Sequence, residues 1–216
     1  MKVLIACEES QTICKAFRAL GHEAYSNDIL PCSGGHPEWH IQADVRTLLK
    51  DYFDLVVFHP VCRYIANSGV RWLYTEEGRF DKMVEACEFF NLRHEFNSPK
   101  VITENPVPHG YAVRGWVETN GEVKRMEHGH YIGEPDQCFQ PWQHGEKQMK
   151  GTCLWFKGVG KLIPSNVVGP PPKDRMERLK WQDVWMASPG PERERLRSKT
   201  LNGPAMAIAQ QYGSAA

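Results

Sequence analysis

The sequence predicts an α/β protein built on a mostly parallel sheet with an antiparallel extension. In the first half of the 216-residue chain, short apolar runs alternate with segments whose apolar residues recur at helical spacing. This is the pattern of buried parallel strands joined by helices. After residue 105 the helical spacing fades, and short strand-like runs are separated by glycine and proline, which is typical of antiparallel strands.

The first strand and the first helix have the clearest patterns. Residues 2–7 (KVLIAC) are a short apolar run of the kind that a parallel sheet buries on both faces. Ile13, Phe17 and Leu20 then share one helical face, and Gly21 provides the stop. We therefore predict a strand, a helix and a turn, in that order.

The following segments continue the alternation. EAYSNDI (23–29) is predicted as the second strand, with Asp28 at its end, and the glycine- and proline-rich residues 30–42 as a loop. Residues 43–53 (ADVRTLLKDYF) are predicted as the end of a strand followed by a helix. Residues 54–58 (DLVVF) are predicted as the next buried strand.

A longer helix and one more strand complete the first half. Residues 76–96 carry apolar side chains at helical spacing, namely Phe80, Met83, Val84, Cys87 and Phe90. Cys87 is therefore predicted to be a core residue. Residues 99–105 (PKVITEN) are predicted as the strand that follows.

The second half is predicted to form two strands, a loop and a final helix. GHYIGEPDQCFQPW (129–142) and GTCLWFKGVG (151–160) are the strand candidates. Residues 167–180 are predicted as a loop or insertion, because three consecutive prolines fit no helix interior. Residues 203–213 (GPAMAIAQQYG) are predicted as a helix with Pro204 near its start.

Length and composition indicate one intracellular domain. A chain of 216 residues can bury one substantial core, so we predict a single domain over residues 1–216 with a short insertion at about 158–198. No apolar run approaches the ~20 residues of a membrane helix, and the first ten residues turn acidic too early for a signal peptide. Seven cysteines are an odd number without a dense framework, so we expect them to be reduced and the protein to be cytoplasmic.

Charge is balanced over the whole chain but uneven along it. The formal net charge is zero, whereas residues 147–199 hold 12 Lys and Arg against 5 Asp and Glu, a net of 12 − 5 = +7. The remainder holds 14 against 21, a net of −7. A basic C-terminal third is compatible with a nucleic-acid interface or with an ordinary solvated surface, and the sequence leaves both open.

Polar and reactive side chains follow the predicted strands at the edge where open α/β sheets bind ligands. They are Cys7, Glu8, Glu9 and Ser10 after the first strand, Asp28 after the second, His59 to Cys62 after DLVVF, Glu104 and Asn105 after the next strand, and Asp44 after HIQA. A carboxylate after the second strand commonly binds the ribose of a nucleotide-type cofactor. Cys62 is either a nucleophile with Glu104 as its proton partner, or a packed thiol near a helix-capping carboxylate.

The order of these motifs resembles that of the DNA cytosine-5 methyltransferases. Pro60-Val61-Cys62 stands where that family has Pro-Pro-Cys, and Glu104-Asn105-Pro106 where it has Glu-Asn-Val. Ala43-Asp44-Val45 stands for Gly-Asp-Ile, PDQCFQPW (135–142) for the Gln-containing strand, and Asn202-Gly203-Pro204-Ala205 for the Gly-Asn-Ser/Ala turn. The likeness runs from Val3 to Gly213 and is to a compact, phage-type branch without a large target-recognition domain.

The resemblance implies a fold, a cofactor, a partner and a set of site residues. The fold is the Rossmann-like one of S-adenosylmethionine-dependent methyltransferases, with helices on both faces of the sheet. The partner is DNA, whose target cytosine is flipped out of the duplex. The implied catalytic residues are Cys62, Glu104 and Asn105, the implied cofactor-binding residues are Cys7, Glu8, Glu9, Ser10, Asp28, Asp44, Pro60 and Asn202, and the implied substrate-binding residues are Arg63, Gln137 and Lys150.

Several positions depart from the family's pattern. The first loop has no glycine, although the family's loop is close to F-x-G-x-G. Val61 replaces the second proline, and Phe139 stands roughly where the family has an Arg that holds the cytosine carbonyl, for which Arg63 or Lys150 would substitute. These departures keep two alternatives open: a covalent pyrimidine-modifying enzyme with a free nucleotide or another one-carbon donor, and a catalytically degenerate DNA-binding relative.

Some residues have both a chemical and an ordinary interpretation. Cys32, His36 and His40 have the spacing C-x3-H-x3-H, but no fourth ligand stands nearby, so we predict no metal site. Lysines of the basic third, Lys147, Lys150, Lys157 and Lys161, are candidates for phosphate contacts. His59 either caps its strand or lowers the pKa of Cys62.

Overall fold

A computed structural model describes residues 1–119, 121–125, 131–182, 186, 188, 190 and 197–214. The strands are β1 (Lys2–Ala6), β2 (Glu23–Asp28), β3 (His40–Gln42), β4 (Leu55–Phe58), β5 (Val101–Pro106), β6 (Trp116–Thr119), β7 (Glu122–Arg125), β8 (Gln137–Phe139) and β9 (Thr152–Lys157). The α-helices are α1 (Thr12–Ala19), α2 (Arg79–Asn91), α3 (Gly110–Arg114), α4 (Arg175–Leu179) and α5 (Asn202–Gly213). Single turns and one longer segment of 3₁₀-helix lie at Pro37–Trp39, Val45–Leu48, Asn67–Tyr74, Leu92–His94 and Pro141–Gln143.

Seven strands form one mixed sheet in the order β3-β2-β1-β4-β5-β9-β8. Strands β1 to β5 are parallel, β9 pairs antiparallel with β5, and β8 pairs antiparallel with β9. The predicted α/β fold with an antiparallel extension is confirmed. The order of strands reverses between β1 and β4, and such a switch point is where open α/β sheets bind ligands beyond the carboxyl ends of the strands.

One face of the sheet is covered by α1 and α5. Helix α1 buries Ile13, Cys14 and Phe17 against the apolar side chains of β1 and β4. Helix α5 packs beside it through residues such as Ala205 and Ile208. Burying a side chain the size of Phe17 or Ile13 contributes roughly 1.5–3 kcal/mol, so this face is a main source of the stability of the sheet.

The other face is covered by α2 and the turn that follows it. Met83, Cys87 and Phe90 of α2 are buried, and the ring of Phe90 meets that of Trp155 edge to face at 4.8 Å between centroids. The prediction that Cys87 is a core residue is confirmed, since only 1% of it is exposed. Helices therefore cover both faces.

Short elements account for the differences between the predicted and the observed structure. The predicted loop 30–42 contains the three-residue strand β3, and the predicted helix in 43–53 is only the 3₁₀ turn Val45–Leu48. The hairpin of β6 and β7 was not predicted, and α4 lies inside the predicted loop 167–180. In the strand candidate 129–142 only β8 is a strand, and residues 129 and 130 lie outside the described residues.

The cysteines differ in part from the expectation that all are reduced. Cys138 of β8 and Cys153 of β9 stand directly opposite each other in the pairing register and form a disulfide. The other five cysteines are free. In the part of the chain that the structure describes, no helix has the length and apolarity needed to cross a bilayer. The single domain with an insertion at about 158–198 remains a prediction, and residues 183–185, 187, 189 and 191–196 of that insertion lie outside the described ones.

Candidate active site

Cys62 lies just beyond the tip of β4, in a loop that turns sharply back toward β5. The backbone carbonyl of Cys62 accepts hydrogen bonds from the amides of Ile65 and Ala66, and Ala66 forms a bridge with Pro108. The 3₁₀ segment Asn67–Tyr74 follows. Cys62 is half-buried, so its thiol is held in place and still reaches a surface.

Glu104 lies at the same height on the neighbouring strand and is joined to His59. The Nδ1 atom of His59 is 2.8 Å from Oε2 of Glu104, and the two side chains are 12% and 14% exposed. Burial raises the pKa of Glu104, but the hydrogen bond from His59, the charge of His59 and the charge of Lys150 outweigh burial. The net pKa of Glu104 is therefore below its usual value, and this carboxyl group is ionised at neutral pH.

Asn105 ties the tip of β5 to the turn that presents Cys62. Its Nδ2 atom donates a buried hydrogen bond of 2.9 Å to the backbone carbonyl of Pro60. Asn105 is 1% exposed and Pro60 is buried. Through this bond Asn105 fixes the backbone of the turn that leads to Cys62, and its Oδ1 atom is buried without a hydrogen-bond partner.

Lys150 contributes a cation to the same group. Its Nζ atom donates to the backbone carbonyl of Lys199 at 2.7 Å. Burial lowers the pKa of Lys150, and the negative charge of Glu104 opposes this change, as would a thiolate at Cys62. Lys150 is thus close enough to both side chains for their charges to act on it.

The electrostatic surroundings of Cys62 keep its proton on sulfur in the resting protein. Burial and, after it, the charge of Glu104 raise the pKa of Cys62, whereas Lys150 and Arg197 oppose this rise only in part. The charges of Glu104 and Lys150 therefore both act on the thiol of Cys62 beyond the ends of β4 and β5.

A narrow cleft of about 10 Å³, enough for about one water molecule, lies beside Glu104 and Lys150, between β5, β9 and the start of α5. Its walls include Glu104, Lys150, Phe139, Thr152, Leu201 and Pro204. The predicted cofactor residue Asn202 is exposed at the first position of α5. Glu104 and Leu154 pair across β5 and β9, so the antiparallel strand forms one wall of the cleft.

The tips of β1, β2 and β3 bring together a second group of predicted residues. The charges of Asp28 and Asp44 both contribute, after burial, to a raised pKa of Cys7. Asp28 accepts a hydrogen bond from the amide of Leu30 at 3.0 Å, and exposed Asp44 pairs with Arg46 at 3.0 Å. Two carboxylates therefore lie beside the end of β1, next to the switch point.

Two residues of the loop after β1 have left-handed backbone conformations although neither is glycine. Cys7 has φ 61° and Gln11 has φ 58°, both in the left-handed region where glycine is common and other residues are rare. The side chain of Gln11 is fully buried and bonds both the amide and the carbonyl of His36. Gly34 must be glycine, because a Cβ there would lie 2.5 Å from the side chain of Gln11.

Three predicted cofactor residues, Glu8, Glu9 and Ser10, contact other groups of the protein through their side chains. Both carboxylate oxygens of Glu8 accept from backbone amides at the start of α1, those of Ile13 at 2.7 Å and Cys14 at 3.2 Å, and only 6% of Glu8 is exposed. The carboxylate of Glu8 thus holds the start of α1, and a part of Glu8 in cofactor binding remains a prediction. Glu9 bonds Ser33, and Ser10 lies 3.1 Å from the hydroxyl of Thr12.

Gln137 also differs from its predicted role. Its amide nitrogen donates to the carbonyl of Leu162 at 2.8 Å, and its amide oxygen accepts from the amide of Leu162 at 2.8 Å. Both ends of the side chain are thereby engaged, so Gln137 fastens the segment after β9 to β8. Arg63, by contrast, is exposed in the loop after Cys62.

Cys32, His36 and His40 do not converge. The ring of His36 stacks on Trp39 with centroids 3.7 Å apart, and both ring nitrogens of His40 contact protein atoms, Ser26 Oγ and the carbonyl of Leu30, at 2.9 Å. Among the residues that the structure describes, no three His, Cys, Asp or Glu side chains form a metal-binding group.

The sequence did not reveal that His59 pairs with Glu104. The two residues are 45 positions apart, and only the parallel pairing of β4 with β5 brings them together. The signal available was the position of both residues immediately after predicted strands, since neighbouring parallel strands end at one edge of the sheet.

Comparisons with known proteins give a limited result. No protein-family model matches the chain. No curated protein matches it either. Among solved structures, the chain is similar to a prophage-encoded E. coli protein that carries the provisional name DNA modification methyltransferase, with a TM-score of 0.46 and 11% sequence identity. The similarity covers 77% of this chain and 51% of that one, so this chain spans about half the length of that protein.

Proposed function

We propose that this protein methylates carbon 5 of cytosine in DNA, with S-adenosylmethionine as the methyl donor and a covalent bond between cytosine and Cys62. The observation that carries the proposal is the mutual influence of Cys62, Glu104 and Lys150 at the tips of β4 and β5. A nucleophilic sulfur and a proton-carrying carboxylate beside one cleft are the groups that addition to a pyrimidine ring requires. The choice of cytosine as acceptor and of S-adenosylmethionine as donor rests on the order of motifs that the sequence shares with the DNA cytosine-5 methyltransferases.

The first step follows from the proton positions in the resting site. The sulfur of Cys62 bonds to carbon 6 of cytosine as its proton passes to Glu104. The π electrons of the ring then move toward ring nitrogen 3, and the carboxyl group of Glu104 gives nitrogen 3 that proton. A sulfur–proton bond and one π bond of the ring are broken, and a sulfur–carbon and a nitrogen–proton bond are formed, so no net charge is left on the ring.

Lys150 stabilises the negative charges that develop in this step, and His59 positions the carboxylate of Glu104. Lys150 limits the repulsion between Glu104 and a developing thiolate, because its ammonium group attracts both. His59 fixes one oxygen of Glu104 by a 2.8 Å contact, which orients the other oxygen. In the absence of the family's usual arginine, Lys150 is also the candidate to bind the carbonyl of the cytosine ring.

Residues at the tips of β1 to β3 fit the proposed donor. Asp28 and Asp44 are placed to accept hydrogen bonds from hydroxyl and amino groups, and Ile29 and Leu30, 70% and 55% exposed, offer apolar surface to a purine ring. S-adenosylmethionine bound there supplies an electrophilic methyl group for carbon 5. The protein's own part is then to take back the nitrogen 3 proton at Glu104. A solvent water would accept the proton of carbon 5, the electron pair of that carbon–hydrogen bond would expel the sulfur of Cys62, and Glu104 would return its proton to that sulfur.

A covalent trap tests the proposal directly. Duplex DNA with 5-fluorocytosine should form an adduct with the wild type in the presence of S-adenosylmethionine, because fluorine at carbon 5 blocks release of Cys62. Cys62→Ala should form none. Cys32→Ala is the matched control, since Cys32 is another free, half-buried cysteine, and it should react like the wild type.

The outcome also separates the proposal from its alternatives. Adducts with 5-fluoro-dCMP but not with DNA would assign a free nucleotide as the acceptor and overturn the DNA part of the proposal. An adduct that persists in Cys62→Ala, or its absence from the folded wild type with either substrate, would overturn covalent catalysis by Cys62.

A further inference from the structure

Consecutive backbone carbonyls of the loop beyond the tip of β4 all accept hydrogen bonds, and they belong to Cys62, Arg63, Tyr64 and Ile65. Within the loop, the amides of Ile65 and Ala66 close the turn at Cys62. The other carbonyls have donors from outside the loop, on Arg79 of α2 and on His109. The path of the chain immediately after Cys62 is therefore fixed by two residues that are distant in the sequence.

His109 holds the loop at two neighbouring carbonyls. Its backbone amide donates to the carbonyl of Ile65 at 3.0 Å, and its Nε2 atom lies 3.0 Å from the carbonyl oxygen of Tyr64. Its Nδ1 atom lies 3.2 Å from the amide of Ala112 and caps the first turn of α3. Because an amide can only donate, Nδ1 accepts, and the ring proton is on Nε2, which donates to Tyr64. Burial lowers the pKa of His109, so this neutral form is retained at neutral pH.

Arg79, the first residue of α2, holds the carbonyl that precedes these two. Its Nη2 atom donates to the carbonyl of Arg63 at 3.0 Å, and its guanidinium lies 4.5 Å from the centre of the Tyr64 ring. Its Nη1 atom pairs with Glu76 at 3.0 Å, and the side chain of Arg79 is only 7% exposed. A buried charge is costly without partners, so these contacts fix the guanidinium and, with it, the backbone at Arg63.

The end of this stretch is anchored in the core. Ile65 is fully buried in the apolar cluster that includes Met83 and Phe90 of α2. Beyond it, the amide of Asn67 donates to the carbonyl of Val107 at 2.9 Å. Hydrogen bonds on one side and a buried side chain on the other leave this stretch of backbone little freedom to move.

We propose that His109 and Arg79 are positioning residues, which keep the sulfur of Cys62 in place by holding the backbone that follows it. Both act through the loop rather than on the reacting atoms. Their effect on catalysis rests on the proposed function, whereas their hold on the loop does not. A displacement of about 1 Å in a reacting group can cost about a hundredfold in rate. Loss of either hold should therefore slow the attack of Cys62 on the ring more than it weakens the binding of DNA.

Two substitutions of His109 separate the tasks of its two ring nitrogens. His109→Asn keeps an oxygen that can accept from the amide of Ala112, because Asn is a good helix cap, but its side chain is too short to reach the carbonyl of Tyr64. His109→Gln offers an N–H group at about the place of Nε2 and loses the cap. With saturating 5-fluorocytosine duplex DNA and S-adenosylmethionine, the rate of adduct formation should fall by about tenfold or more in His109→Asn. It should stay close to that of the wild type in His109→Gln, and the half-saturating DNA concentration should change little in both.

Alkylation of Cys62 by iodoacetamide tests the hold on the loop without DNA or methyl donor. Cys62 is half-buried, so a looser loop should expose its thiol, and His109→Asn should speed its alkylation as followed by mass spectrometry of the peptides. Cys14 is fully buried in α1 and reports general unfolding. It should stay protected in every variant.

The hold by Arg79 has its own matched pair of variants. Arg79→Met removes the donor to the carbonyl of Arg63 and should change both rates in the same direction as His109→Asn. Arg79→Lys retains a charged donor and should restore part of the wild-type behaviour. Glu76→Gln leaves the bond between Arg79 and Arg63 in place, so it should react like the wild type.

The two readouts separate this proposal from the proposed function. Absence of adducts from the wild type would overturn the proposed reaction, and the alkylation rates would still decide whether the loop is held. Equal alkylation of Cys62 in wild type, His109→Asn and Arg79→Met would overturn the proposal, as would adduct formation that is slower in His109→Gln than in His109→Asn. Faster alkylation of Cys14 together with Cys62 would assign both residues to the general stability of the fold and would also overturn it.

Discussion

The imidazole of His59 and the carboxylate of Glu104 form a buried pair, with Nδ1 and Oε2 2.8 Å apart, across the tips of two parallel strands. Breaking such a pair from one side leaves the other group buried without its partner. Glu104→Gln should therefore lower the free energy of unfolding by about 3 kcal/mol at pH 7. Glu177→Gln, which removes one partner of the exposed pair with Lys180, should cost less than about 0.5 kcal/mol.

The stability difference between wild type and Glu104→Gln should shrink as the pH falls. The pKa of Glu104 is lowered in the folded protein from its ordinary value of 4.5. The stability that its ionised form contributes is thus fully present above pH 4.5 and is lost as the pH falls through the lowered pKa. Urea unfolding of wild type and Glu104→Gln at a series of pH values should show the gap shrinking below pH 4.5. A gap that is constant with pH would show that the charge of Glu104 does not contribute.

His59 should determine the pH below which the rate of adduct formation by Cys62 falls. The hydrogen bond from His59 is the largest effect that lowers the pKa of Glu104, so His59→Leu should raise that pKa. In the proposed reaction Glu104 must be ionised to take the proton of Cys62, so the rate of 5-fluorocytosine adduct formation should then fall at a higher pH than in the wild type. His59→Asn retains an N–H donor and should restore part of the wild-type profile; identical profiles for wild type and His59→Leu would contradict this role.

The bond from Asn105 to Pro60 should stabilise the Cys62 turn. Asn105→Ala leaves the buried carbonyl of Pro60 without a donor, at a cost of about 1–3 kcal/mol in urea unfolding. Asn97→Ala removes a similar 3.1 Å bond to the carbonyl of Lys50, but in an exposed position, and should cost less. Limited proteolysis should also cut the loop after Cys62 faster in Asn105→Ala, and equal costs for the two variants would contradict the argument.

Cys7 should tolerate glycine better than alanine. With φ 61°, Cys7 occupies a backbone region that costs residues with a Cβ roughly 1–2 kcal/mol and costs glycine little. Cys7→Gly and Cys7→Ala both remove the thiol, so their difference isolates the backbone effect. We expect Cys7→Gly to be the more stable by about 1 kcal/mol in thermal or urea unfolding. If Cys7→Ala is the more stable variant, the left-handed conformation is not a constraint.

The contribution of the disulfide between Cys138 and Cys153 to the free energy of unfolding should be measurable by reducing it. A bridge that spans 15 residues contributes roughly 3 kcal/mol in the chain-entropy description. Treatment with dithiothreitol should lower the free energy of unfolding by about that amount in the wild type and have no effect on Cys138→Ala. Mass spectrometry that finds all seven cysteines free in protein purified without reductant would contradict the bridge.

Periodicity in the sequence predicted the sheet well because the central strands are buried on both faces. KVLIAC and DLVVF are continuous apolar runs, and they correspond to β1 and β4. β3 has only three residues, half-buried or exposed, so it carries no period that could separate it from a loop. The hairpin of β6 and β7 turns at Gly121 with φ 79°, and its strands lack the apolar alternation of a strand with one face in the core.

The candidate site could be predicted only as far as the ends of strands. Their positions after buried apolar runs made Cys62, Glu104 and Asn105 candidates, and only the resemblance to the DNA cytosine-5 methyltransferases gave them catalytic roles, which remain predictions. Gln137 was assigned to the substrate, and the structure shows its side chain bonded to Leu162, 25 residues away. Whether a polar side chain is free to bind a ligand depends on its contacts with loops that are distant in the sequence. A local sequence pattern does not contain that information.

Two hydrogen bonds, from His59 to Glu104 and from Asn105 to Pro60, tie the end of β5 to the residues that follow β4. Segments 63–74 and 158–182 lie outside these strands and anchor themselves through buried residues such as Ile65 and Leu162. Under the proposed function, exchange of the exposed residues of those segments should alter which target is chosen while leaving Cys62 and Glu104 in place. The scaffold is for that reason suited to recombination, in which new selectivity is obtained from surface segments alone.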